Sequence, residues 1–299
     1  MMAIPVQAVG RSVIGLVVAG IVTALGLAFA YFAGINGKTA FGYPIFFVCA
    51  AVAFGVNWLA FIPAAIAQQE KYYDLVGSLT YLSIIAAACY LASPLDLRAM
   101  IVAAMVATWA TRLGGFLFMR VGKTGGDSRF DKIKTNPARF FTAWTLQALW
   151  ATVSASAAIV IISSSERVEP ELFFWLGAAV WFAGFAIEVI ADLQKSAFKD
   201  DPANKGKYIT TGIWGWSQHP NYFGEITLWF GLLIMAWPLL SGTGFLVIAS
   251  PVLIYLLLTK VSGVNLQDKQ GDARWGDDAG YQAYRRNTSV LVPLPPKKG

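Results

Sequence analysis

Residues 208–231 read Tyr208-Ile-Thr-Thr-Gly-Ile-Trp-Gly-Trp-Ser-Gln-His219-Pro220-Asn221-Tyr-Phe-Gly-Glu225-Ile-Thr-Leu-Trp-Phe-Gly231, and they contain the only histidine of the protein. Proline at a first helical position presets the backbone and gives up only an N–H that has no partner there. A helix is therefore predicted to start at Pro220, with Asn221 and Glu225 four residues apart on one face. The apolar run that follows takes this face to membrane depth. An ionisable group there is a functional hypothesis by default.

Outward from this stretch the chain is apolar. Of its 299 residues 57% are hydrophobic and 13% charged, with a mean hydropathy of +0.57; a soluble domain carries about 25% charged residues. The fold class is all-α, a polytopic transmembrane bundle of about eight spans (seven possible). The spans are expected near 12–34, 41–66, 75–91, 97–119, 140–162, 171–194, 222–240 and 243–262. The third, and the pair split by Ser241-Gly242, are the ones that would reduce the count. The first is too long for a signal-peptide core and reads as an uncleaved helix, so residues 1–40 form an extra N-terminal span. The whole chain, 1–299, reads as a single integral-membrane domain. Of the 23 basic residues, 17 fall in 120–139, 195–222 and 260–299. Eight spans place these three segments and both termini in the cytoplasm. A net charge of +6 is then a property of membrane loops, and nucleic acid is not expected as a partner. Cys49 and Cys89 lie in apolar runs as small hydrophobes. With one histidine and no CxxC, no metal site is expected.

Chemistry concentrates in a few places. Glu188, Asp192, Lys195 and Lys199 follow at intervals of four, three and four, so they line one helical face. Snorkelling accounts for the lysines but not for Glu188, which lies deeper. Arg112 sits two turns inside a helix end and calls for a carboxylate or phosphate partner. The loop from Arg120 holds Gly122-Lys123-Thr124, which resembles the end of a phosphate-binding loop; Leu117 stands where that pattern needs glycine, so the pattern fails. Its cations remain a seat for phosphates or a positive-inside loop. Gln69-Glu70-Lys71-Tyr72-Tyr73 lies at a membrane boundary, where carboxyl and phenol groups suit a carbonyl or, equally, an interfacial tyrosine belt with helix caps. Tyr284-Arg285-Arg286 in the tail suits a ring and a phosphate, or lipid headgroups. Neither GxGxxG nor GxSxG occurs.

The run Glu188–Lys199, Asp201-Pro-Ala-Asn-Lys-Gly-Lys207 and Gly212–Glu225 resembles the C-terminal region of the steroid 5-alpha-reductase family, most closely its bacterial branch. The loop 120–141, Gln147 and the tail 281–293 share the likeness, which extends over roughly residues 41–293. The resemblance implies a membrane enzyme that binds NADPH in a cytoplasm-facing cavity over region 120–293, in a bacterial inner membrane. It implies reduction of a carbon–carbon double bond conjugated to a ketone. Asp192, Lys199, Asn221, Glu225 and one of Arg285 or Arg286 match cofactor-contacting positions, and Arg112 matches a polar one. Lys199 replaces an arginine, so its phosphate contact would be single rather than forked. Arg120, Glu188, Tyr208, Trp214, His219, Tyr222 and Tyr284 complete the candidate cofactor set.

In the steroid enzymes a glutamine–glutamate pair and a tyrosine polarise the ketone. Gln69-Glu70 matches that pair by composition only, and Trp109 falls about where the tyrosine would be. Glu70, Tyr72 and Tyr73 are the candidate catalytic donors for a developing enolate, with a monomer and a lipid-like substrate expected. Two other readings remain: an isoprenylcysteine-type methyltransferase using S-adenosylmethionine, and a non-catalytic lipid-binding or transport protein.

Overall fold

The computed structural model describes residues 6–124, 130–166 and 169–297, with side chains omitted for 6–11 and 120–124. Helices are α1 (Val6–Ala33), α2 (Ile45–Ala67), α3 (Tyr73–Ala92), α4 (Leu97–Thr124), α5 (Pro137–Ser154), α6 (Ser156–Ile162), α7 (Leu172–Asp200), α8 (Pro220–Ala236), α9 (Ala249–Leu256), α10 (Val264–Trp275) and α11 (Ala279–Asn287). A two-residue hairpin, β1 (Thr39–Ala40) with β2 (Tyr43–Pro44), joins α1 to α2. The chain is an all-α polytopic membrane bundle. Among the described residues seven helical segments are long and apolar enough to cross a membrane, and α5 with α6, bent by 53°, makes an eighth if taken as one span.

Two compact units are present: Met1–Pro170 with Ala236–Ala249, and Glu171–Met235 with Ser250–Gly299. In the first, α5 starts as its sequence dictates. Asn136 caps it by accepting from the Arg139 N–H at 3.1 Å, and Pro137 takes the first helical position. α2 ends at Gln68, whose left-handed φ of 49° stops the helix. Some polar groups inside this bundle pair across helices, while others, such as Asn57 Oδ1 and Gln147 Oε1, are buried without a hydrogen bond. Asn57 Nδ2 donates to Thr80 Oγ1 at 2.9 Å, and Trp58 Nε1 donates to Thr145 Oγ1 at 3.2 Å. Such bonds tie helices together where hydrophobic driving force is absent. An aromatic core of Phe130, Phe140 and Trp144 with Val76 closes one end.

In the second unit α7 and α8 lie antiparallel and in backbone contact. A Cβ on Gly224 would sit 2.6 Å from both Glu188 N and Gly184 O, and one on Gly231 2.6 Å from Trp181 N. Glycines seven apart on each helix, 177/184 and 224/231, thus meet in pairs, the small-residue contact that lets membrane helices approach.

The predicted span at 243–262 is less regular than its hydropathy suggests. It opens as a 3₁₀ turn (Gly242–Ile248), passes through α9, and ends in a π turn at Leu257–Val261. Gly263 packs onto the Leu258 carbonyl, so the backbone there folds back too closely for a side chain. Apolar composition reports burial in lipid but not this change of helical pitch.

Candidate functional site

The second unit holds most of the candidate cofactor residues. α8 begins at Pro220, as its sequence predicts. Seated on α7 by the glycine pairs, its first turn brings Asn221 to Asp192, with Asn221 Nδ2 donating to Asp192 Oδ1 at 3.4 Å. Glu188 and Asp192 are buried, at 2% and 6% exposure, while Lys199 is exposed at the end of α7 and Glu225 is half-buried on α8. Two carboxylates at that depth, an amide beside one of them and a further carboxylate a turn on form a polar wall in an apolar bundle. Lys195 turns onto the Trp214 ring at 4.5 Å, so part of the helical face is a cation–π contact.

The loop before α8 is held rigidly. Gly212 has φ +62°, and its missing Cβ makes room for the Gln194 side chain, whose Oε1 accepts from the Ile213 N–H at 3.0 Å. Trp214 is buried and donates from Nε1 to the Ala191 carbonyl at 3.0 Å. The C-terminal tail then straps this loop. Tyr284 OH donates to the Trp214 carbonyl at 2.7 Å, Gln218 Nε2 to the Thr288 carbonyl at 2.7 Å, and Ser217 Oγ to the Leu291 carbonyl at 2.7 Å. His219 is buried and stacks on Tyr222 with centroids 5.4 Å apart. Its buried Nε2 makes no hydrogen bond, and Asp268 Oδ1 faces it at 3.5 Å, beyond ordinary N–H···O length. Arg285 lies between two carboxylates, Nη2 to Asp268 Oδ2 at 2.8 Å and Nη1 to Asp272 Oδ1 at 2.9 Å. Arg286 is exposed.

A cleft of about 580 Å³ is lined by Lys207, Tyr208, Thr210, Asp278, Gly280 and Tyr284. Tyr208 OH donates to Asp278 Oδ1 at 3.3 Å. Burial pushes the Tyr208 hydroxyl up from its ordinary range and Asp278 adds to the rise; burial and then Tyr281 do the same for Tyr284. Both phenols stay neutral donors. The unit thus presents an amide and carboxylates on the α7–α8 wall, and phenols with a lysine in the cleft. Among the described residues no cluster of His, Cys, Asp and Glu suits a metal ion.

The first unit holds the candidate donors. Glu70 is buried and accepts from Lys134 Nζ at 2.9 Å, with Asp131 Oδ1 3.4 Å from the same nitrogen. Tyr73 OH donates to the Ala143 carbonyl at 2.9 Å, and its ring packs on Phe130 and Trp144. Tyr72 is half-exposed and stacks on Phe118. Arg112 is half-buried with its guanidinium over the Phe116 ring at 5.5 Å. The Arg120 side chain lies outside the described residues.

The hydrogen bond to Glu70 holds the Lys134 ammonium above the usual lysine range, burial pulling the other way and Asp131 adding to the rise. A raised folded value means that this contact stabilises the fold fully below the unfolded lysine range and is lost as pH rises through the folded value. Above about pH 10.5 the wild type is expected to lose about 2–4 °C of melting temperature that Lys134→Met does not lose. Differential scanning fluorimetry of the two proteins from pH 8 to 12 checks this, and parallel curves would refute it.

Sequence reading missed Asp268, Asp272 and Gln218. Asp268 and Asp272 stand four apart on α10, and that spacing was a usable signal. In the sequence the tail draws notice for its basic residues and for Tyr284-Arg285-Arg286, not for these carboxylates.

Residues 60–288 match the family described as "Protein of unknown function (DUF1295)". A Delta(14)-sterol reductase of Ascobolus immersus is 40% identical over 80 residues, which cover 22% of this chain and 17% of the relative. A probable O-methyltransferase ustE of Ustilaginoidea virens is 33% identical over 60 residues, 20% of this chain and 21% of the relative. The chain thus spans at most 21% of the length of these two relatives. No solved structure matches it.

Proposed function

Because the chain belongs to the family described as "Protein of unknown function (DUF1295)", within the steroid 5-alpha-reductase-like superfamily, we propose that it is a membrane-embedded reductase. In this reading it uses NADPH to reduce a carbon–carbon double bond conjugated to a ketone in a lipid-like, steroid- or isoprenoid-type substrate. The observation that carries the reading is the wall made by α7 and α8, where Asn221 and Asp192 are hydrogen-bonded beside buried Glu188. The local likeness to a sterol reductase supports it.

NADPH bound there supplies a hydride; the protein supplies binding, orientation and electrostatics. Asn221 offers both a donor and an acceptor, and Glu225 an acceptor, which suits a carboxamide. Lys199, Lys207 and Arg286 carry the positive charge that phosphates need, and a 2′-phosphate adds to that demand. The neutral phenols Tyr208 and Tyr284 offer ring faces, and their hydroxyl oxygens can still accept, the protons being given to Asp278 and to the Trp214 carbonyl. A conjugated ketone that receives hydride at its β carbon develops charge on oxygen, which a preorganised donor stabilises. Tyr72 takes that role here, since Glu70 holds Lys134 and the Tyr73 hydroxyl holds the Ala143 carbonyl. The basic loops orient the cofactor side toward the cytoplasm.

The likeness to an O-methyltransferase favours a second reading, methyl transfer from S-adenosylmethionine. Calorimetric titration of the detergent-purified protein separates the two. NADPH or NADP⁺ is expected to bind and S-adenosylmethionine not to; binding of S-adenosylmethionine alone would sink the reductase.

A further inference from the structure

The Asp268 carboxylate serves two side chains that come from distant parts of the sequence. Oδ2 accepts from Arg285 Nη2 at 2.8 Å, and Oδ1 faces His219 Nε2 at 3.5 Å. The other arm of Arg285 is held by Asp272 at 2.9 Å, so the guanidinium is bracketed by two carboxylates of α10. That bracket anchors Asp268. His219 has few other constraints on the direction of its nitrogens. The parallel stack on Tyr222 sets the plane of the ring, and the bond from its backbone N–H to Ser217 Oγ, 3.1 Å, sets the main chain. Neither decides which ring nitrogen points inward. Nε2 itself is buried without a hydrogen bond, and the carboxylate that faces it is Asp268, with Oδ1 3.5 Å away.

We propose that Asp268 is a positioning residue for His219. A carboxylate facing one imidazole nitrogen keeps a proton on that nitrogen and fixes the ring, leaving the other nitrogen to act. Nε2–H is thereby turned to Asp268, and Nδ1 presents its lone pair at the head of α8, one residue before Pro220. There it accepts from an N–H or O–H of the bound ligand. Only the identity of that ligand, a carboxamide or ribose hydroxyl of NADP(H), rests on the reductase reading. Arg285 acts through Asp268 and is likewise a positioning residue, which leaves phosphate contacts to Arg286 and the lysines.

A double-mutant cycle in the full-length protein tests this, with NADP⁺ as the probe in calorimetry. Asp268→Asn and His219→Phe are each expected to lower affinity about 10-fold, as loss of one hydrogen bond at the ligand does. The double variant is expected to be no weaker than His219→Phe alone, because Asp268 works through the ring. Asp268→Glu is expected to retain part of the affinity, which a role in packing alone would not produce. Trypsin resistance of the tail reports whether Asp268→Asn leaves α11 docked; if it does not, Asp268→Glu carries the cycle. Additive losses, or Asp268→Asn binding like the wild type, overturn the proposal. If the wild type binds no NADP⁺, the reductase reading fails by itself. The same cycle is then read in ligand-free melting temperature, where non-additive losses support the His219–Asp268 contact and additive ones overturn it.

Discussion

Glu225→Ala is expected to lower the affinity for NADPH by about 10- to 100-fold, the range for losing a hydrogen bond to a charged group. Glu225 stands one helical turn after Asn221 on α8, and its backbone is carried against α7 by Gly224, whose closest neighbours are the Glu188 N–H and the Gly184 carbonyl. The substitution removes the carboxylate without touching that glycine contact, so the helix pair is expected to stay assembled. Glu225→Gln keeps the shape and one acceptor and is expected to lose less, about 10-fold. Calorimetric titration of both variants, with melting temperature as a control for folding, provides the check. Wild-type affinity in Glu225→Ala would remove this residue from the site.

Gly224→Ala acts at the other extreme, through packing alone. The added methyl would lie 2.6 Å from the Glu188 nitrogen and the Gly184 oxygen. Both are backbone atoms of a regular helix and cannot turn aside as the end of a flexible side chain would. The helices have to separate, at a cost of about 1–3 kcal/mol for overpacking. Asn221 is then drawn away from Asp192. Gly55→Ala is the matched control, since nothing lies within 4 Å of the position its Cβ would take. There alanine is neutral or stabilises by up to about 1 kcal/mol through its better helix propensity. Thermal unfolding in detergent should separate the pair by several degrees. Equal melting temperatures would mean that the α7–α8 contact tolerates a wider spacing.

Much of the frame was legible because a membrane span is a local property. A backbone in lipid has to satisfy its own hydrogen bonds, so a sufficient apolar run becomes a helix wherever it occurs. The expected spans correspond to α1 through α5 with α6, then α7, α8 and the segment from Gly242. The start of α8 was legible for an equally local reason, the fixed φ of Pro220. The bend at Ala155 was not, since no proline or glycine marks it, and the π turn before Ser262 left no trace in hydropathy.

The site was legible only in part. Glu188 and Asp192 stood out because carboxylates are scarce at that depth, and the structure buries both. Their relation to Asn221 depends on glycines seven apart on two helices meeting in register, which neither helix specifies alone. Glu70 had the composition of a proton donor, yet Lys134, 64 residues later, pairs with it. His219 drew notice as the sole histidine, while Asp268, which faces it, drew none.

By itself, then, the sequence determined a helical membrane protein, its spans, and the point where α8 begins, because each follows from composition or a backbone restriction within a few residues. The tertiary structure decided which carboxylate meets which amide, which cation is already engaged, and which group orients His219. Those contacts join residues tens of positions apart, and their geometry exists only once the helices have packed.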